Sequence, residues 1–191
     1  GILLAEDGAK LSKKLRNYTE PSLVFEHQGS DALRWYLMSS NISRGGDLRI
    51  SDPGITDVVR QVLLPVWNAF SFFTLYANAD GYRAQLRADS EQLLDRYLLA
   101  KTRTLVESVT DRMDAYDLPG ATAEIRGFID ALNNWYIRRS RDRFWARTSE
   151  LNDDDKRDAY DTLYTVLVTF SKVAAPFLPM VMEEVHTGLT G

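Results

Sequence analysis

Residues 7–17 read DGAKLSKKLRN and set Lys10, Lys13 and Lys14 around Ser12 directly after an Asp-Gly pair. A lysine is a mobile point charge on a flexible stem and a frequent phosphate ligand, and a neighbouring hydroxyl adds a hydrogen bond or fixes the loop. Such a loop can close over a triphosphate and offset the charge that builds as pyrophosphate leaves, without a covalent role. These residues alone also fit a solvated surface loop, where lysine and serine are common.

A second cationic stretch, NNWYIRRSRDRFW at residues 133–145, holds Arg138, Arg139, Arg141 and Arg143, with Arg147 just beyond. On a helix, Trp135, Arg138, Arg139, Asp142 and Trp145 lie near one face, while Arg141 and Arg143 point elsewhere. The spacing therefore predicts divided duties. Some arginines pair with acids such as Asp130 or Asp142, and others meet phosphate or stack on bases. Trp135, Tyr136, Phe144 and Trp145 read as core or boundary side chains.

Other chemistry is bounded by composition. The absence of cysteine excludes disulfides and thiolate metal ligands, and His27 and His186 alone do not make a zinc or iron site. Asp153–Asp155 reads as the N-terminal turn of a helix. A formal charge of -4 argues against a generally basic coat but leaves room for a local basic face. With 45% hydrophobic and 26% charged residues, this is ordinary globular material. No apolar run is expected to reach the roughly 20 residues of a membrane span, and no signal-peptide pattern opens the chain. The expectation is a cytoplasmic protein without membrane or DNA partners. The opening Gly1-Ile2-Leu3-Leu4 lacks methionine and lies inside an apolar run, so the chain reads as a piece of something larger.

The elements that must position these groups begin with a mixed segment, residues 1–52. Short strands are expected at Ile2–Leu4 and Asp47–Ile50. One short helix starts near Pro21 and is broken by Gly29. A second covers Ser30–Met38, with Leu33, Tyr36 and Leu37 on one side. From residue 53 to 191 the pattern is helix after helix. The first runs to about Ala77, with Val58, Val62, Trp67, Phe70 and Leu75 as core candidates and Pro65 as a kink. The next runs from Ser90 to Tyr116, opened by an Asp89/Gln92 capping box. Its stripe is Leu94, Tyr97, Leu98, Lys101, Leu105, Val109 and Met113. The third runs from Pro119 to Arg147 with Ile125, Phe128, Leu132, Trp135 and Tyr136 at helical spacing. The last follows the turn at Asn152, carries Tyr160, Leu163, Tyr164, Leu167, Ser171 and Ala174, and breaks around Pro176 and Pro179. Amphipathic helices joined by short loops predict a mainly α protein, a helical bundle preceded by a small α/β segment.

Against this background, DGAKLSKKLRNYTEP followed by GSDALRWYL at residues 29–37 resembles the second signature of class I aminoacyl-tRNA synthetases. Lys10, Ser12 and Lys13 keep the places of that signature, Leu11 stands where methionine is usual, and Lys14 replaces the usual final serine. NNWYIRRSRDRFW, APFLPMVMEE, RGGDLRI and VLLPVWNAFSFFTLYAN are similar to the isoleucine group of that family, of the eukaryote-like type. Valyl and leucyl enzymes share the plan, and a non-catalytic helical interaction module is the rival of a different class. The resemblance implies ATP, with Mg2+, as the nucleotide, isoleucine as substrate and tRNA(Ile) as partner. It makes Lys13 the principal phosphate ligand, with Lys10 and Ser12 supporting. Residues 1–52 become the end of a catalytic domain with its stem-contact connector, and residues 53–191 an anticodon-binding helical domain. Arg138, Arg139, Arg141, Arg143 and Arg44 become candidate RNA contacts, with Arg49 near the acceptor side. The companion His-Ile-Gly-His type signature is absent, so the piece is expected to be inactive alone.

Overall fold

The computed structural model describes residues 1–146 and 153–191. Arg147 and the turn at Asn152 lie outside the described residues. Strand β1 (Leu3–Leu4) pairs in parallel with β2 (Leu48–Arg49), with Leu3 opposite Leu48 and Leu4 opposite Arg49. Between them stand α1 (Pro21–His27), α2 (Ser30–Met38) and a 3-10 turn at Asn41–Arg44. Pro21 opens α1 because its missing N–H is not needed there. Gly29, at φ 88°, lets the chain reverse into α2. The buried face of α2 is Asp31, Ala32 and Trp35, while Leu33 and Tyr36 are only partly buried. Asp31 is in the core because it caps another helix, accepting from the backbone N–H groups of Met180 (3.3 Å) and Val181 (2.8 Å).

The bundle continues as α3 (Asp52–Val58), α4 (Leu64–Asp80), α5 (Leu93–Asp114), α6 (Leu118–Asp130), α7 (Arg138–Trp145), α8 (Asp153–Ala174) and α9 (Pro179–Thr190). Helices α3 and α4 form one rod through a π turn at Val59–Leu63, where the Leu64 N–H reaches back to the Val59 carbonyl. That wider turn sits just ahead of Pro65 and accommodates its missing donor. The rod is longer and more apolar than the sequence expectation allowed, with mean hydropathy 1.3 over its best 18 residues. Its buried positions Ile55, Val58, Val62, Val66, Ala69, Phe73 and Ala77 nonetheless recur at helical spacing. Since α4 packs on α8 and α9, this is a core helix of the bundle. Trp67 and Leu75, expected in the core, are 44% and 63% exposed because they fall off that stripe.

The expected capping box at Asp89 does not form. Helix α5 starts later, at Leu93, and the Asp89 carboxylate is drawn to Arg87 at 3.0 Å. The preceding connection runs along α8, with the Gln85 N–H bonded to Asp161 (2.8 Å) and the Arg87 N–H to Thr165 (2.8 Å). Lys101 is exposed, and the polar members of the buried stripe are Asp95 and Thr102. The expected third helix is divided by a second π turn, Ala131–Ile137. Helix α8 begins within the acidic run, and the chain breaks after Ala174, whose carbonyl accepts from both Phe177 and Leu178 at 2.9 Å. Aromatic contacts close the core: Trp35 meets Phe177 edge-on at 6.1 Å, Phe128 stacks on Phe170 at 5.5 Å, and Phe144 meets Tyr160 at 5.1 Å. Truncating one such ring to alanine costs about 3–5 kcal/mol.

Candidate functional site

The lysine loop hangs from the small sheet. Lys10 forms an antiparallel bridge with Leu4, whose other neighbour is Arg49, so Lys10 and Arg49 flank one residue of β1. The reversal before it needs Gly8 at φ 86°, and the Arg49 guanidinium lies so near that a Cβ at Gly8 would come within 3.3 Å of it. Lys10, Lys13, Lys14, Arg16 and Arg49 are exposed. Among the described residues, no carboxylate lies within ion-pairing distance of any of them. Ser12 is half-buried and its hydroxyl accepts from the Leu15 N–H at 3.4 Å. That bond lies within the loop itself. Asn17 does more, accepting from the Ser12 N–H (2.9 Å) and donating to the Lys10 carbonyl (3.2 Å). The motif spacing drew attention to the lysines and passed over this latch.

The arginine segment divides into exposed and buried members. Arg138, Arg139 and Arg141 are exposed. The Arg139 guanidinium lies 4.5 Å from the centre of the Trp135 ring, and that of Arg141 lies 5.9 Å from Trp145. Both indoles, expected in the core or at its boundary, are surface groups at 46% and 51% exposure, while Tyr136 and Phe144 are buried. Trp135 lies within the π turn, whose extra residue shifts the helical register so that Leu132 and Tyr136 stay on the core face and Trp135 does not. Asn133 supports the wide turn by donating its side-chain amide to the Ile129 carbonyl at 3.0 Å. An open groove of about 920 Å³ runs between the two π turns, lined by Gln61 and Asn68 on one side, Asn133 and Asn134 on the other, and Arg138 and Arg141. Amides, guanidiniums and adjacent exposed indoles suit phosphate contact and base stacking together.

Arg143 does not belong to this surface, which corrects its grouping with the RNA-facing arginines. Its guanidinium makes a forked pair with Asp95, at 2.6 and 2.9 Å, and also bonds Asp155 at 2.8 Å. Tyr136 donates to the same Asp95 at 2.8 Å, and so does Ser90 at 2.8 Å. Burial opposes the Arg143 charge, but the bonds it donates to Asp95 outweigh that and hold its pKa above the usual arginine range. Burial, reinforced by Asp95, pushes the Tyr136 phenol well up and keeps it a neutral donor. The network ties α5, the π turn and α8 behind the exposed arginines. Nothing in local spacing announced it.

Arg44 is half-exposed and paired with Asp117, which also binds Arg112 at 2.9 Å and caps α6 by accepting from the Gly120 N–H at 3.0 Å. The Gly120 N–H, with Arg44 and Arg112, holds the Asp117 carboxyl below its usual value of 3.8 against partial desolvation. A depressed folded pKa means the stabilisation is present above the unfolded value and lost as pH falls through the folded one. Accordingly, Asp117→Asn is expected to be less stable than the parent at neutral pH. The gap in thermal midpoint should close as pH falls below about 3.8. A gap unchanged from pH 7 to the acid limit would contradict this.

Two family models match the chain: the anticodon-binding domain of tRNA ligase over residues 95–190, and tRNA synthetases class I (I, L, M and V) over residues 1–51. Among curated proteins, it is 55% identical to the isoleucine–tRNA ligase of Leifsonia xyli subsp. xyli over 191 residues, covering 100% of this chain and 17% of that protein. It is 50% identical to the isoleucine–tRNA ligase of Mycobacterium tuberculosis over 190 residues, again with 100% and 17% coverage. The chain thus spans less than a fifth of the length of these relatives. Among solved structures, Mycobacterium tuberculosis methionyl-tRNA synthetase in complex with methionyl-adenylate superposes with TM-score 0.72 at 21% identity, covering 96% of this chain and 36% of that one. The ternary LeuRS-tRNA-LeuAMS complex from Agrobacterium radiobacter K84 superposes with TM-score 0.71 at 20% identity, covering 100% and 22%. These likenesses establish the fold.

Proposed function

Because this chain belongs to the family of the anticodon-binding domain of tRNA ligases, we propose that it works within an isoleucine–tRNA ligase that couples ATP, isoleucine and tRNA(Ile) in the cytoplasm. Residues 1–52 close the catalytic domain with the phosphate-gripping loop, and residues 53–191 dock the tRNA. In the reaction, the amino-acid carboxylate attacks the α-phosphorus of ATP, pyrophosphate leaves, and the aminoacyl group passes to the tRNA 3′ end. Lys13 and Lys10 place point charges on the polyphosphate and offset its growing charge, while Ser12 and Asn17 hold the loop's shape. The residues fit a polyphosphate because the loop's amines are exposed and, among the described residues, lack internal counter-ions. Mg2+ accompanying ATP would add positive charge on the polyphosphate; residues 8–19 of this loop carry no carboxylate to ligate it. The choice of isoleucine is supported by the names of the relatives that are 50–55% identical over the whole chain.

The observation that carries the RNA half is that Arg138 and Arg141 line the groove, that Arg139 and Arg141 lie over exposed indoles, and that all three are free of internal acids among the described residues. A helical interaction module would have its arginines paired internally, and among the described residues of this segment only Arg143 fits that description. Filter binding to tRNA(Ile) and tRNA(Val) across a salt series tests the assignment. Binding is expected to weaken with salt, and the Arg138→Ala, Arg139→Ala and Arg141→Ala triple variant should flatten the log–log slope by about 0.7–0.9 for each phosphate no longer neutralised. Equal slopes for parent and triple variant would remove these residues from the interface.

A further inference from the structure

We infer that Arg16 is a further polyphosphate-contacting residue of the lysine loop, an inference that rests on the proposal that this loop grips a nucleotide's phosphates. Arg16 has φ 49°, in the left-handed region, where its Cβ crowds the backbone and glycine would sit without strain. The conformation is over-determined by its neighbours. Its N–H donates to the Ser12 carbonyl at 2.9 Å, and the adjacent Asn17 side chain bonds the backbones of Ser12 at 2.9 Å and Lys10 at 3.2 Å. The turn therefore closes the Arg16 backbone onto the Ser12 carbonyl instead of letting it run on with the chain. Its side chain is exposed, and among the described residues no carboxylate neutralises it. A permanent cation is thus held at a strained backbone position, within six residues of three lysines and with no acidic partner among the described residues. Its chemistry complements theirs. A lysine acts as a single point of charge, whereas a guanidinium fork takes two oxygens of one phosphate. The ligand class this suits is a polyphosphate tail, long enough for the lysines to hold one group and Arg16 another.

The test titrates the full-length enzyme with inorganic tripolyphosphate by isothermal calorimetry, for the parent and for Arg16→Gly, Arg16→Asn, Arg16→Lys and Lys13→Ala, with thermal unfolding measured in parallel. Arg16→Gly and Arg16→Asn both tolerate the left-handed backbone and are expected to weaken tripolyphosphate binding about five- to tenfold. Their unfolding midpoints should be equal to or above the parent's because the strain is relieved. Arg16→Lys should recover part of the loss. Parent-like affinity in the glycine and asparagine variants, alongside weakened binding in Lys13→Ala, would overturn the role of Arg16 and leave the loop reading intact. A parent enzyme that does not bind millimolar tripolyphosphate, or a Lys13→Ala variant that binds it as the parent does, would overturn both.

Discussion

Replacing Asp95 with alanine is expected to lower stability by about 3–5 kcal/mol. The Asp95 carboxylate has no solvent exposure and accepts from four donor groups: two arms of Arg143 at 2.6 and 2.9 Å, Tyr136 at 2.8 Å and Ser90 at 2.8 Å. Its removal leaves the Arg143 guanidinium, only 15% exposed, with Asp155 as its remaining acid, and leaves a buried phenol without an acceptor. Desolvation of these stranded groups dominates the cost, more than the pair's own attraction. For a chain of this size the thermal midpoint should fall by roughly 10 °C or more. A double variant, Asp95→Ala with Arg143→Met, should recover part of the loss because no charge is then left buried alone. Urea unfolding of the single and double variants against the parent measures the coupling. A single variant within about 1 kcal/mol of the parent would mean that the network is solvated and contributes little.

In the full-length enzyme, Lys13→Ala should slow adenylate formation by about 100- to 1000-fold. An electrostatic contact made to the departing pyrophosphate strengthens as charge develops, so its loss falls on the rate of the chemical step. Isoleucine-dependent ATP–pyrophosphate exchange reads that rate. The affinity for tRNA, measured by filter binding, should stay within about twofold, because one exposed surface charge contributes little to a large polar interface. Lys13→Arg should retain part of the rate, since charge persists while reach and shape change. An unchanged exchange rate in Lys13→Ala would remove the loop from the chemistry.

Read from residues alone, the loop was the most legible part. Its lysines and hydroxyl are adjacent in the chain, so their meeting depends only on a short turn. The helices were nearly as legible, because apolar residues at a 3.6-residue period leave a face that must be covered, and Pro21, Gly29 and Pro179 mark ends through their own backbone limits. Registers were harder. Trp135 and Trp145 look apolar enough for the core, yet the register shift of a π turn leaves the first off the core face, and no spacing rule signals where a helix will admit one extra residue.

Chain chemistry thus determined the cationic loop, the helical character and the absence of thiol chemistry, all of which depend on residue type and neighbours within a few turns. Only the folded chain decided which cations are available. Arg141 and Arg143 are two residues apart, but Arg143 is consumed by Asp95, 48 positions away, while Arg141 faces out beside Trp145. Asp31 caps a helix that begins about 150 positions later. A charge is neutralised by whatever acid the packing brings within a few ångströms, and electrostatic energy depends on that distance in space and on burial, neither of which is written in sequence separation.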